Sequence, residues 1–365
     1  MYHNPSALSW KSEYAVRASV LRFHETLPCY GKTPLEKLPA EFCEQLRVGT
    51  ILLKDESHRF GLPSYKILGA SWGCICTVAQ SLGIPQTAPL SGIKQLVAVT
   101  KFTFFTATDG NWGRAVARMA GILGATARIY VPKIMVEATK QKIRQEGAEV
   151  IVVDGDYDMA VKEAERAAIA QASGLLIEDT AWPGYEDIPQ WVVDGYSTMM
   201  VEIDEQCQEL IGRPPNLIVC PVGVGSLAQA VVAHYKSRDP PSTVMTVEPD
   251  TAACLKTSLE NGQMTSIPTG NTTMCGMNCG TVSMTAWPFL RDGVDASITV
   301  TDDDSAKAQE MLKDMRISMG PCSAATLAAL LSISEEEKEK LHLNCDSVVV
   351  LLGTEGPRGE AFEMS

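Results

Sequence analysis

Leu217-Ile218-Val219-Cys220-Pro221-Val222-Gly223-Val224-Gly225-Ser226 is an apolar run that ends in two close glycines and a serine. Residues 217–220 show no polar alternation, so they read as a strand buried on both faces. Residues 226–236 carry helical spacing, which makes the whole segment a strand–loop–helix unit. Glycines at 223 and 225 permit backbone geometries that a side chain would block. At a helix N-terminus they expose N–H groups where a phosphate dianion is favoured, and Ser226 adds a hydroxyl donor. A tight turn with no ligand would use the same residues.

The same rhythm extends outward. Downstream, strands are expected at 243–248, 297–300 and 347–352, and helices at 251–260, 282–290, 304–315 and 322–340. A long loop rich in Gly, Thr and Asn covers 261–280. Upstream, strand 51–54 precedes a polar loop and a helix over 65–80. Leu96–Val99 reads as the start of a strand running toward Thr106. Helices 112–123, 136–146, 158–172 and 191–210 then alternate with strands 127–131, 149–153 and 175–178. Residues 1–50 read as irregular, broken by Pro28, Pro34 and Pro39. Val- and Ile-rich strands alternating with amphipathic helices predict an α/β fold with mainly parallel sheets, whose ligands bind beyond the strand C-termini. The strand-rich stretch from about 70 to 185 is expected to form its own small sheet.

Composition narrows the function classes. The chain has 365 residues, 45% hydrophobic and 21% charged, with a formal charge of −13. An acidic surface disfavours nucleic acid and anionic membrane as partners. No apolar run reaches the ~18 residues that suggest a membrane span. Met1–Lys11 lacks the apolar core of a secretory signal, so a cytoplasmic location is expected. The 11 cysteines form no CxxC pair and the five histidines are scattered, so no metal site is expected. Cys74 and Cys76 read as small buried hydrophobes in a reducing compartment.

Several residues carry alternatives. Gly223, Gly225 and Ala228 also fit the dinucleotide pattern G-x-G-x-x-A, with Glu248 ending the next strand as a ribose ligand. That reading, a nicotinamide-dependent oxidoreductase, explains nothing about residues 55–70. Lys66 lies at a loop-to-helix junction, where a lysine is ordinarily solvated. A cofactor-bearing lysine would instead point inward and lose its proton easily. Asp109, between a strand end and a helix start, has the position of an N-cap. Asp179 follows a strand and precedes an aromatic loop, where a carboxylate commonly accepts loop hydrogen bonds.

A resemblance reduces these alternatives. The stretch Lys54-Asp55-Glu56-Ser57-His58-Arg59-Phe60-Gly61-Leu62-Pro63-Ser64-Tyr65-Lys66-Ile67-Leu68-Gly69 resembles the lysine block of the diaminopropionate ammonia-lyase family. These are pyridoxal phosphate enzymes of fold type II, the tryptophan synthase β-like group. Thr106-Ala107-Thr108-Asp109-Gly110-Asn111-Trp112-Gly113-Arg114, Glu178-Asp179-Thr180-Ala181-Trp182-Pro183-Gly184-Tyr185, Val247-Glu248-Pro249-Asp250 and Thr354-Glu355-Gly356 agree in order.

The resemblance implies two three-layer domains, residues 1–70 plus 186–365 and an inserted smaller domain, 71–185. Lys66 would bond to the cofactor, Asn111 would bond its 3′ oxygen, Gly223, Val224, Gly225 and Ser226 would cradle its phosphate, and Thr354 would face its pyridine nitrogen. Asp109 and Asp179 would serve as acid–base or substrate-binding groups, and Trp182 and Tyr185 would wall the pocket. The implied reaction is α,β-elimination of D- or L-2,3-diaminopropionate to pyruvate and ammonia by a homodimer. A serine, threonine or 3-hydroxyaspartate dehydratase, a β-replacement enzyme and a non-catalytic cofactor-binding homologue are the alternatives. Two stretches depart from the pattern. Trp112 stands where a G-N-H-G sequence has histidine, and Ser318-Met319-Gly320-Pro321-Cys322-Ser323-Ala324 lacks the glutamate usual in that late stretch.

Overall fold

A computed structural model describes residues 1–13, 18–108 and 110–358. Strands β1 (Tyr2–His3), β2 (Leu35–Lys37), β3 (Thr50–Asp55), β8 (Leu217–Pro221), β9 (Thr243–Pro249), β10 (Ala296–Val300) and β11 (Val348–Gly353) form a seven-stranded sheet. Its order is β1-β10-β9-β8-β11-β3-β2. The pairings are parallel except at the two edges, where β1 and β2 run antiparallel. Strands β4 (Thr103–Ala107), β5 (Thr126–Pro132), β6 (Glu149–Val153) and β7 (Gly174–Leu176) form a parallel sheet in the order β6-β5-β4-β7. Strands β8, β9 and β11 are buried along their whole length, as expected of strands covered on both faces.

This topology sets where loops meet. The loops after β3, β8 and β11 leave one edge of three adjacent parallel strands. They carry Lys66, the 223–226 turn and Thr354. In the smaller sheet β4 and β7 are neighbours, and their following loops carry Asn111 and Asp179.

The Lys66 helix, Lys66–Leu82, packs closely along the long helix Asp187–Ile211. A Cβ on Gly69 would lie 2.6 Å from the Tyr196 ring, and one on Gly195 only 2.4 Å from the carbonyl oxygen of Leu68. Two glycines thus allow a backbone approach that alanine would block.

Three sequence expectations are corrected. Leu96–Val99 belongs to a helix, Leu90–Thr100, and the strand begins only at Thr103. Ile93 and Val97, four apart, are its buried pair, while Val99 is 81% exposed. The helix expected over 322–340 is two helices, Pro321–Ser332 and Glu335–Lys340, because Ser334 and Glu337 form a capping box that starts a new one. Residues 1–50 are more regular than expected, with β1, β2 and helices Ala18–Glu25 and Ala40–Gln45.

The polar loop after β3 is present as expected, and together with Lys54 of that strand it is interior. Lys54, Glu56 and Arg59 are fully buried. Lys54 Nζ donates to Glu202 at 2.8 Å and to the Thr33 carbonyl at 2.8 Å. Arg59 donates to Glu202 at 2.8 and 2.6 Å and to Glu56 at 2.8 and 2.6 Å. Each buried charge has an opposite partner and further hydrogen bonds, the condition under which such a cluster is tolerated.

No disulfide is formed among the 11 cysteines, and Cys74 and Cys76 are buried in the Lys66 helix. Among the described residues, no helix is long and apolar enough to cross a membrane, and no group of three or more His, Cys, Asp or Glu side chains is placed to hold a metal.

Candidate active site

Lys66 opens its helix at the mouth of the seven-stranded sheet, where the backbone N–H of Tyr65 donates to the Thr354 carbonyl at 3.1 Å. Its side chain turns inward. Nζ lies 2.6 Å from Asp179 Oδ2, 5.5 Å from the centre of the Tyr65 ring and 5.9 Å from that of Trp112. Burial favours the neutral amine, but the charge on Asp179 in direct contact outweighs it and holds the amine well above the usual lysine range. In the protein alone Lys66 is therefore an ammonium. A carboxylate in direct contact stabilises the charged form. Burial pushes the adjacent Tyr65 phenol up to about 12, so it stays protonated.

The glycine turn is tied to the same pair. Ser226 Oγ donates to the Asp179 carbonyl at 2.5 Å, so one residue joins the lysine and the turn. Gly225 has φ +94°, in the left-handed region, and a Cβ there would lie 2.8 Å from Leu290 Cδ1. On Gly223 a Cβ would lie 2.9 Å from the Gly276 carbonyl oxygen. Among the described residues, no protein group accepts from the N–H groups of Gly223, Val224, Gly225 or Ser226. Unsatisfied donors at a helix N-terminus beside a partly buried amine fit a group carrying both a phosphate and an aldehyde.

Other expected residues fall around this centre. Thr354 is buried directly after β11. Asn111 begins the helix Asn111–Leu123, and its Nδ2 donates to Glu355 at 3.1 Å. Asp109 lies outside the described residues. Trp182 and Tyr185 stack on each other with ring centres 4.4 Å apart. The Tyr185 hydroxyl donates to the Leu176 carbonyl at 3.0 Å and accepts from the Glu178 N–H at 2.9 Å, which pins this loop to the end of β7. Glu248 has another task. Its carboxylate accepts from the N–H groups of Leu255 and Lys256, both at 2.7 Å, at the start of helix Cys254–Asn261. Both its oxygens are thus committed to a helix N-terminus, which removes the residue that the dinucleotide reading needs.

Two features were not anticipated from the sequence. The Trp112 indole donates to Thr106 Oγ1 at 2.9 Å and to the Ile177 carbonyl at 3.2 Å, bridging the ends of β4 and β7 behind Lys66. Glu178 is fully buried beside it. Its Oε1 accepts from the Ala107 N–H at 2.6 Å, and its Oε2 has no hydrogen-bond partner among the described residues. Burial, added to the charge on Asp179, holds this carboxyl well above the usual carboxylate range. Sequence signals for either role are weak, since both depend on strands brought together by the fold.

Comparison with known proteins agrees with this geometry. The family model for pyridoxal-phosphate dependent enzymes matches residues 26–354. Diaminopropionate ammonia-lyase of Salmonella typhimurium is 35% identical over 92% of this chain and 88% of its own. The crystal structure of the Escherichia coli diaminopropionate ammonia-lyase in complex with D-serine superposes with a TM-score of 0.88 at 31% identity, covering 97% of this chain and 93% of that one. Maize serine racemase, at 22% identity and a TM-score of 0.75, shares the fold. With a lysine, a glycine turn and a carboxylate joined at one sheet edge, and with these relatives spanning nearly the whole chain, the protein belongs to the diaminopropionate ammonia-lyase family of fold type II, pyridoxal-phosphate-dependent carbon–nitrogen lyases.

Proposed function

We propose that the protein eliminates ammonia from 2,3-diaminopropionate, giving pyruvate and a second ammonia. The observation that carries this reading is the Lys66–Asp179–Ser226 chain, which puts a basic amine beside a turn of unsatisfied N–H donors. Lys66 would hold the cofactor, Gly223, Val224, Gly225 and Ser226 its phosphate, Asn111 its 3′ oxygen, and Thr354 would face its pyridine nitrogen. When bound, pyridoxal phosphate supplies an electron sink that makes the α-proton of an amino acid removable.

The side chains of the protein then have two tasks. One is to take a proton at the α-carbon, and the other is to give one to the departing β-amine, which cannot leave as an anion. Lys66 Nζ serves an L-substrate in both. Asp179, 2.6 Å away, keeps that nitrogen in place and stabilises it whenever it carries the proton. We assign the opposite face, and so the D-substrate, to Asp109. The Trp182–Tyr185 stack, anchored to β7, shields the site from water.

The supporting features extend to organisation. We propose 71–185, which contains the whole four-stranded sheet, as the smaller inserted domain. A homodimer follows from the family resemblance, and a cytoplasmic location is favoured by the 11 free thiols.

The test supplies D- and L-2,3-diaminopropionate, serine and threonine to the purified protein and measures pyruvate, oxobutyrate and ammonia. Diaminopropionate should be the preferred substrate, and Lys66→Ala should abolish elimination. Full activity of Lys66→Ala, or a strong preference for serine or threonine, would overturn the assignment.

A further inference from the structure

Glu355 follows Thr354 at the end of β11, and its side chain is 4% exposed. Its Oε2 accepts from Asn111 Nδ2 at 3.1 Å and from the Arg358 guanidinium at 2.8 Å. Its Oε1 accepts from Arg358 Nε at 3.1 Å and, more weakly, from the Cys322 N–H at 3.4 Å. The backbone of Glu355 is fixed independently. Ser323 Oγ accepts from its N–H and donates to its carbonyl, both at 2.7 Å, and the Gly320 N–H donates to that carbonyl at 3.0 Å. Gly320 also leaves the space the side chain fills, because a Cβ there would lie 2.9 Å from Glu355 Oε1. Held at both ends, the carboxylate is directed at Asn111.

That contact has a chemical consequence. A carboxylate only accepts, whereas an asparagine amide offers an acceptor on one side and a two-hydrogen donor on the other. Against Glu355 the amide must present Nδ2, which settles its orientation. One Nδ2 hydrogen is used there and the second remains for the site. A charged acceptor also forms a shorter, stronger hydrogen bond than a neutral one and polarises the donor it holds.

We infer that Glu355, clamped by Arg358, is a positioning residue for Asn111: it fixes the amide so that its second N–H faces the cofactor's 3′ oxygen. This inference rests on the role given to Asn111 above. Asn111 lies at the end of the four-stranded sheet and Glu355 at the end of the seven-stranded one, so the contact also links the two sheets.

The test compares wild type, Asn111→Ala, Glu355→Gln and the double variant Glu355→Gln/Arg358→Gln as pyridoxal-phosphate-loaded proteins. The double variant removes both charges and so leaves no orphaned guanidinium. Two quantities are read: the ratio of the long- to the short-wavelength absorption band of the bound cofactor between pH 6 and 9, and the dissociation constant from titrating stripped protein with pyridoxal phosphate. Asn111→Ala should shift the ratio toward the short-wavelength band and weaken binding. Both Glu355 variants should shift it in the same direction, with binding weakened roughly tenfold, the size of one impaired charge-assisted hydrogen bond. A merely structural Glu355 would lower stability while the bands stayed at the wild-type ratio. If the Glu355 variants keep the wild-type ratio while Asn111→Ala changes it, the positioning role is wrong. If Asn111→Ala itself keeps it, the role of Asn111 is wrong and the inference falls with it.

Discussion

Gly225→Ala tests the turn that is read as the phosphate cradle. Gly225 has φ +94°, where an alanine Cβ crowds the backbone and costs roughly 1–2 kcal/mol. The new Cβ would also lie 2.8 Å from Leu290 Cδ1. Leu290 is fully buried and cannot swing aside without disturbing the core, so overpacking adds about 1–3 kcal/mol. The sum is about 2–5 kcal/mol, less whatever the loop recovers by shifting. Any shift moves the N–H groups of 223–226. Losing the alignment of one or two of them to a dianion weakens cofactor binding about 10- to 100-fold. Gly121→Ala is the internal control. It sits in the exposed interior of a helix with nothing within 4 Å of an added Cβ, and should stabilise by about 1 kcal/mol. Urea unfolding of the cofactor-free proteins, followed by titration with pyridoxal phosphate, measures both effects. If Gly225→Ala unfolds like wild type and binds the cofactor equally well, the account of the turn is wrong.

The bridge and the buried acid behind Lys66 give two more expectations. Trp112→Phe leaves Thr106 Oγ1 and the Ile177 carbonyl without their indole donor, and should cost about 1–3 kcal/mol in urea unfolding; an unchanged midpoint would show that the bridge contributes nothing. Glu178 has a raised carboxyl pKa in the folded protein, so the folded state holds the proton more tightly than the unfolded one. The associated stability is fully present below the unfolded value of 4.5 and declines as pH rises through the folded one. Glu178→Gln, neutral at every pH, should lose this slope, so its stability relative to wild type should grow from pH 5 to 8. Parallel pH profiles for the two proteins would contradict a protonated Glu178.

The sheet strands were readable because β8 and β11 are apolar on both faces and β9 is rich in β-branched residues, and all three are bounded by glycine or proline. Leu96-Val97-Ala98-Val99 misled for the same reason: its composition suits a strand, and only the Ile93–Val97 spacing shows that one side of a helix is buried. The break at Ser334 was carried by a capping box that a continuous helical spacing obscured. The glycine turn could be found in sequence because it directly follows a strand, whereas Lys66 and Thr354 were picked out by the resemblance of their blocks. What could not be found is how they are joined. Asp179 reaches Lys66 across 113 positions and Asn111 reaches Glu355 across 244, contacts that exist only once two sheets are placed edge to edge. The burial of Lys54, Glu56 and Arg59 depends on Glu202, far along the chain, which their local sequence does not reveal.

That interior cluster constrains how the enzyme can move. The segment between β3 and Lys66 is moored by ions that would have to be rehydrated one after another if it lifted, and each separated partner would be stranded in the apolar interior. The amine is therefore carried on a segment that resists displacement, and the reactive nitrogen keeps a fixed address relative to the seven-stranded sheet.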